Sequence, residues 1–153
     1  MTQVERSDDR GERWKAVGAP LPCMVTDLDV HPKDPARIYA SCGGYSGHIQ
    51  VYDGQTWTAR KEANGLERDY LGRMVFERIA VDPSFPNVIY AGQRDWAGPA
   101  RGIARSIDSG ASWETINWNL PVDLDVWGIS VSPHDSTVWI ATDYGNFRMM
   151  PAR

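Results

Sequence analysis

The stretch SIDSGASW at residues 106–113 decides the fold of this chain. Its key residues stand at fixed offsets between two runs typical of strands: Ser106, Asp108, Gly110 and Trp113. In such a turn, the serine and aspartate side chains accept hydrogen bonds from loop amides, and the glycine takes a positive φ without steric cost. The tryptophan leads into the next strand and buries a large ring between layers. The stretch therefore predicts a tight turn that joins two antiparallel strands.

Two further copies of this turn lie elsewhere in the chain. The stretch SDDRGERW at residues 7–14 keeps all four key residues in register: Ser7, Asp9, Gly11 and Trp14. The stretch DGQTW at residues 53–57 lacks the serine and keeps Asp53, Gly54 and Trp57. A motif that recurs in this way indicates an array of similar structural units.

The repeat has a period near 50 residues. Pro32, Pro83 and Pro133 lie 51 and 50 residues apart, and so do Ala40, Ala91 and Ala141. Short runs with strand alternation are separated by turn residues, and helical periodicity is nowhere sustained. A period near 50 with four strands per unit is typical of a propeller blade. Because one blade cannot bury both faces of its sheet alone, neighbouring units are expected to stack.

We therefore expect an all-β fold, a partial β-propeller of about three four-stranded antiparallel blades in one domain at residues 1–153. Its expected parts are a terminal hairpin at residues 1–17, blades at residues 25–60 and 78–117, and an incomplete blade at residues 128–150. The polar connection at residues 61–77 is expected to hold a helical turn around residues 66–71.

Composition narrows the possible partners and locations. Hydrophobic residues make up 42% of the 153 residues, enough for a substantial core. The net charge of −4 and the pI near 5.3 argue against nucleic acid or an anionic membrane as partner. No run approaches the roughly 20 apolar residues of a membrane span, and the first residues lack the apolar core of a secretory signal. We expect a cytoplasmic location for the sequence as given, and an extracellular one if it derives from a longer secreted parent.

The two cysteines, Cys23 and Cys42, have no metal-ligand spacing. Two free, half-buried thiols are expected in preference to a disulfide. The histidines are scattered along the chain, so neither a metal nor another cofactor is expected.

The pattern Ser-x-Asp-x-Gly-x-x-Trp resembles the Asp-box, or BNR repeat. This repeat is shared by sialidases, xyloglucanase-type propeller glycosidases, sortilin-like receptors and a photosystem II assembly factor. The phrases VHPKDPARIYAS and VDPSFPNVIYAG, residues 30–41 and 81–92, look most like the xyloglucanase and sortilin branch. The resemblance covers nearly the whole chain and implies a β-propeller in which Asp-box turns lie away from the ligand face. It thus implies a structural role for Asp9 and Asp108.

The chain also departs from that family. Its members usually have six to eight blades, whereas about three are expected in this sequence. Neither the sialidase arginine triad, nor its tyrosine nucleophile with a partner glutamate, nor the acid pair of the xyloglucanase-type enzymes can be matched here residue by residue.

Candidate ligand-binding residues lie where propellers usually meet their ligands, in the loops between the second and third strands of each blade. They are Tyr45, His48, Arg94, Asp95, Trp96, Arg101, Asp143 and Tyr144. The connections between blades add Asp69, Tyr70, Trp118, Asp123, Asp125 and Trp127. Aromatic rings beside carboxylates and arginines suit carbohydrate. Packing or turn formation is the competing interpretation for each of these residues.

Two functions remain open on this evidence. The first is a non-catalytic binding or scaffolding module for carbohydrate or protein. The second is a glycoside hydrolase of xyloglucanase or sialidase type, or a part of one. Hydrolysis would need two carboxyl groups about 5 to 9.5 Å apart, one with a raised pKa. The available candidates are Asp69, Asp95, Asp125 and Asp143.

Exposed blade faces and strand edges also predict self-association. We expect a homodimer in which two copies close a six-bladed ring, with the hairpin at residues 4–17 completing the partner's blade at residues 128–150. Both segments supply a third strand, so one of the two copies of that strand must be displaced.

Overall fold

The computed structural model describes residues 1–44, 47–69, 71–94, 102–117, 119–121 and 123–150. Its strands are β1 (Glu5–Arg6), β2 (Lys15–Ala16), β3 (Met24–Val30), β4 (Ile38–Gly43), β5 (His48–Tyr52), β6 (Trp57–Arg60), β7 (Phe76–Val81), β8 (Ile89–Gln93), β9 (Ile103–Ser106), β10 (Glu114–Thr115), β11 (Val126–Val131), β12 (Val138–Thr142) and β13 (Gly145–Met149). All sheet pairings between these strands are antiparallel.

The strands pair in chain order as successive meanders. β1 and β2 form the hairpin, β3–β6 the first sheet, β7–β10 the second sheet and β11–β13 the third sheet. Two of the sheets have four strands and the third has three. The expected all-β architecture of four-stranded antiparallel units is thereby confirmed.

Apolar cores lie between successive sheets. The hairpin and the first sheet share Val4, Val17, Leu21, Ile38 and Ala40. The first and second sheets share a cluster that includes Tyr39, Val51, Ile79, Val81 and Trp113. The second and third sheets share Tyr90, Ile103, Val126, Val138 and Ile140. Because side chains alternate along a strand, the first and second sheets each bury one set of residues against each neighbour.

The first strands of the three sheets, β3, β7 and β11, lie side by side and line a groove of about 390 Å³. We call them the inner strands. Polar side chains link each to the next: Asp29 of β3 accepts a hydrogen bond from the Val81 amide of β7 at 2.7 Å. Arg78 of β7 donates to the Trp127 carbonyl of β11, also at 2.7 Å. These bonds satisfy backbone groups at strand edges that would otherwise need water.

The turn at residues 106–113 has the hydrogen bonds that its sequence predicts. Ser106 Oγ accepts from the Gly110 amide at 2.9 Å, and Asp108 Oδ1 accepts from the Ser112 amide at 2.8 Å. Gly110 has a φ of 84°. The turn at residues 7–14 repeats these bonds at 2.7 and 2.8 Å. The hydroxyl and the carboxylate therefore order both turns.

The tryptophans that follow the three turns differ in burial. Trp113 is only 6% exposed and packs in the core between the first and second sheets. Trp57 is half-buried and donates its ring N–H to the Val17 carbonyl of the hairpin at 2.9 Å. Trp14 is 60% exposed, contrary to the expected burial, although it occupies the equivalent position in the hairpin. Trp113 and Trp57 pack toward the sheet or hairpin that precedes their own.

In the third sheet, the positions equivalent to those of the first two sheets differ by one residue from the positions that the proline and alanine spacings indicate. In the first two sheets, the last residue of the inner strand pairs with the residue eight positions later in the chain. In the third sheet, Val131 pairs with Val138, only seven positions later. The turn is thus one residue shorter. Ile140, not Ala141, takes the place of Ala40 and Ala91. Trp139 accordingly takes the place of two buried tyrosines, Tyr39 and Tyr90.

Two local expectations are wrong. A helical turn is expected at residues 66–71. The structure instead has a 3-10 turn at Glu62–Asn64, which ends at Gly65 with a φ of 89°. Cys23 and Cys42 form a disulfide and are not free thiols. The sheet register brings them together, since the residues after Cys23 pair with the end of β4, which contains Cys42.

Candidate functional site

Each inner strand is interrupted by a β-bulge at the same place, near its first residues. The extra residues are Thr26 in β3, Glu77 in β7 and Trp127 in β11. A bulge redirects a side chain out of the regular alternation of the strand and commonly does so beside functional sites. The three positions lie beside the ends of β4, β8 and β12, where the loops to the third strands begin.

Arg94 links two of the bulge residues. Its Nη1 lies 3.3 Å from Glu77 Oε2, and its guanidinium carbon lies 3.6 Å from the centre of the Trp127 ring. Glu77 and Arg94 are 5% and 6% exposed, whereas Trp127 is 45% exposed. The Arg94 amide donates to the Val75 carbonyl at 3.0 Å, which fixes the backbone behind the side chain. The stacked cation holds the orientation of a ring that still meets solvent.

Two aspartates lie beside this arrangement. Asp143, in the turn between β12 and β13, accepts a hydrogen bond from the Asp125 amide at 3.0 Å. Burial, and then the charge of Asp143, raise the pKa of Asp125 to about 6, with Glu77 adding to the effect and Arg94 opposing it. Asp125 thus keeps its proton into mildly acidic conditions. We call Glu77, Arg94, Asp125, Trp127 and Asp143 the bulge cluster.

The bulge cluster includes some of the residues expected from sequence. Arg94 and Asp143 from the loops, and Asp125 and Trp127 from the connections, come together in it. Tyr144, next to Asp143, is 60% exposed. Tyr45, Tyr70, Asp95, Trp96, Arg101 and Trp118 lie outside the described residues.

The remaining candidates among the described residues are Asp69, His48 and Asp123. Asp69 is buried and accepts hydrogen bonds from the amide and guanidinium of Arg73 at 2.6 and 2.9 Å, which orders a connecting turn. His48 is buried and lies 2.8 Å from Gln50. A ring nitrogen of His48 and both disulfide sulfurs lie within 4.8 Å of one another. Because the sulfurs are bonded to each other, they offer no thiolate ligands to a metal here. Asp123 is exposed.

Glu77 was missed from sequence. It ends the predicted polar connection at residues 61–77, whereas β7 already begins at Phe76. No composition or spacing signal marks a bulge. The only available clue was an acidic residue directly beside an apolar strand.

The turn at residues 106–113 lies away from this cluster, at the other end of the second sheet. The Ser109 amide in the turn at residues 106–113 donates to the Asn87 carbonyl at 2.9 Å. Asn87 belongs to the turn between β7 and β8, at the opposite end of the second sheet from the bulge. The turn residues therefore do not contribute to the bulge cluster.

In the described part of the chain, no helix has the length and apolar character to span a membrane.

No protein-family model matches the sequence. Among curated proteins, the chain is 29% identical over 101 residues to a xyloglucanase from Paenibacillus sp, which covers 60% of this chain and 9% of that protein. It is also 29% identical over 121 residues to a probable oligoxyloglucan-reducing end-specific xyloglucanase from Neosartorya fischeri, covering 71% of this chain and 14% of that protein. The chain thus spans only a small part of these relatives.

Solved structures share the fold over almost the whole chain. An ancestral GH74 enzyme superposes with a TM-score of 0.74 at 18% identity, covering 97% of this chain and 20% of that one. YCF48 from Cyanidioschyzon merolae gives a TM-score of 0.69 at 10% identity, covering 98% of this chain and 45% of that one. The architecture is that of β-propeller blades. At these identities the likeness shows the fold alone.

Proposed function

We propose that this chain is a carbohydrate-binding propeller module whose glycan lies on the bulge cluster. The observation that carries the proposal is the half-exposed ring of Trp127, held by the buried Arg94–Glu77 pair and bordered by Asp125 and Asp143. A sugar ring presents apolar C–H groups that pack on an aromatic face. Its hydroxyl groups form charge-assisted hydrogen bonds to neighbouring carboxylates.

The charge of the cluster favours a neutral glycan. It contains three carboxyl groups and one guanidinium, and that guanidinium already bonds to Glu77. An acidic sugar on the Trp127 ring would lie beside the carboxyl groups of Asp125 and Asp143, and repulsion between like charges opposes binding. The relatives described as xyloglucanases make a neutral β-glucan the first probe to use.

Titration calorimetry with xyloglucan oligosaccharides tests this proposal. Trp127→Ala should weaken binding about tenfold or more, which corresponds to about 1.4 kcal/mol. Trp14→Ala is the matched control, because that ring is 60% exposed but lies on the hairpin. Sialylated or uronate-containing glycans should bind more weakly than neutral ones. Binding that survives Trp127→Ala, or absence of binding to every neutral glycan, would contradict the proposal.

A second candidate function is glycoside hydrolysis, which the environment of Asp125 favours. A carboxyl group with a pKa of about 6 beside a second carboxylate has the character of a general acid with a partner base or nucleophile. Asp125 would donate a proton to the leaving oxygen, and Asp143 would activate water or attack the sugar. Release of reducing ends from xyloglucan and cleavage of chromogenic aryl glycosides should then fall above about pH 6. Asp125→Asn should abolish this activity, while glycan binding should persist.

The proposal also includes the type of the ordered turns and the setting in which the protein works. We assign the ordered turns to the Asp-box, or BNR, type on the strength of the matching Ser–Asp hydrogen bonds in two copies. The sortilin-like character of the strand phrases stays a prediction. The Cys23–Cys42 disulfide supports an oxidising, extracellular setting over the cytoplasm. Thiol titration of the native protein should find no free thiols before reduction and two after it.

A further inference from the structure

One face of the third sheet lacks the cover that the equivalent faces have. Tyr39 of β4 and Tyr90 of β8 are 0% and 1% exposed, because each packs against the following sheet. Trp139 takes the same position in β12 and is 50% exposed. A groove of about 330 Å³ lies on the third sheet and is lined by Gly128, Ala141 and Trp139 among others. Small residues beside a large ring leave room for a partner's side chains.

The inner strand of the first sheet lacks the complementary cover. Ile79 and Val81 of β7 are 4% and 6% exposed, because they pack in the core with Tyr39. Their equivalents in β3 are Leu28 and Val30, which are 44% and 45% exposed. The hairpin cluster buries Ile38 and Ala40 of β4 and partly buries Val25 of β3, but it does not include Leu28 or Val30.

These two surfaces correspond to the two sides of the contact that joins successive sheets within the chain. Within the chain, an aromatic residue of the second strand packs with two aliphatic residues of the next sheet's inner strand. This happens between the first and second sheets, and again where Tyr90 shares a cluster with Ile129 and Val131. Trp139 has no such partner among the described residues, and Leu28 and Val30 have no such aromatic.

We propose that a second copy of this chain supplies both missing halves. The outer face of the third sheet of one copy, led by Trp139, packs on Leu28 and Val30 beside the partner's hairpin. The partner's third sheet packs on the first copy in the same way. Two such contacts, related by a two-fold axis, close the assembly. This surface is separate from the bulge cluster, so the inference does not depend on glycan binding.

Light scattering after gel filtration measures the assembly directly. At micromolar concentration, the chain of 17.1 kDa should elute as a single species of twice that mass. A stable, folded monomer would overturn the proposal without any variant.

A pair of charge variants tests the named surfaces. Trp139→Lys and Leu28→Glu should each be monomeric, because each places a charge in both contacts of the ring. Mixing the two variants should restore the dimer. One contact then joins the introduced lysine to the introduced glutamate, and the other is wild type.

Phe85→Glu is the matched control, since Phe85 is 60% exposed but lies in the turn between β7 and β8. It should leave the mass of the dimer unchanged. Circular dichroism should show unaltered folding of all three variants, because each replaced side chain is substantially exposed. If a charged variant unfolds, Trp139→Ser and Leu28→Ser replace the pair, and each should raise the dimer dissociation constant at least tenfold. A dimer that resists both single substitutions, or monomers that do not pair on mixing, would overturn the proposal.

Discussion

Trp113 and Trp14 occupy equivalent positions in two copies of the same turn, yet they are 6% and 60% exposed. Replacing each with alanine separates the contribution of the turn from that of the packed ring. Trp113 lies in the core between the first and second sheets, and its ring N–H donates to the Gly110 carbonyl at 3.3 Å. Removing a buried tryptophan leaves a cavity and costs about 3–5 kcal/mol. We therefore expect Trp113→Ala to lower the free energy of unfolding by about that amount.

Trp14→Ala removes the same atoms from a mostly solvated position, so it should change the free energy of unfolding by less than about 0.5 kcal/mol. Urea titrations followed by circular dichroism at one fixed protein concentration measure both variants. The slope of free energy against urea should remain that of the wild type. Equal losses in the two variants would refute the reasoning, because they would mean that burial between sheets does not set the contribution of the ring.

Three further predictions concern the turn, the bulge cluster and the disulfide. Asp108→Ala should cost about 1–2 kcal/mol, because turn amides lose their acceptor; calorimetry should show unchanged glycan affinity. The pKa of Asp125 is raised from 3.8 to about 6, so the folded state holds this proton more tightly than the unfolded chain does. Stability should fall by about 1 kcal/mol, after allowance for solvent screening, as the pH rises from about 4 to about 6, and Asp125→Asn should remove that slope in urea titrations. Cys23→Ser with Cys42→Ser opens a loop with a sequence separation of 19 and should cost about 3 kcal/mol, matched by reduction of the wild type.

The repeating parts of the fold could be predicted because their signals are local. The turn requires a serine, an aspartate and a glycine at fixed positions, and all three lie within eight consecutive residues. The alternation of apolar and polar residues along the flanking strands indicates which faces are buried. The regular proline spacing then implied stacked units, which the three cores between sheets confirm.

The remaining features depend on register, which the sequence does not display. The disulfide forms because the pairing of β3 with β4 places Cys42 beside the residues that follow Cys23, and linear spacing carries no trace of this. The turn before Val138 is one residue shorter than its equivalents in the other sheets. The proline and alanine spacings remain nearly regular, but the residues of the third sheet that are equivalent to those of the other sheets change. Trp139 could therefore be recognised as the exposed equivalent of Tyr39 and Tyr90 only after the pairing was known.

The bulges explain how this fold can vary its chemistry without altering its cores. Side chains at regular strand positions alternate between the two faces of the sheet, and an unpaired polar side chain that is buried against a neighbouring sheet costs stability. A bulge residue leaves that alternation. Thr26, Glu77 and Trp127 occupy the same bulge position in three sheets and have unrelated side chains, while aliphatic residues stand at equivalent register positions further along each strand. The position is thus free to change in chemistry, and the cluster around Arg94 forms where an acid and an aromatic ring fall on adjacent inner strands.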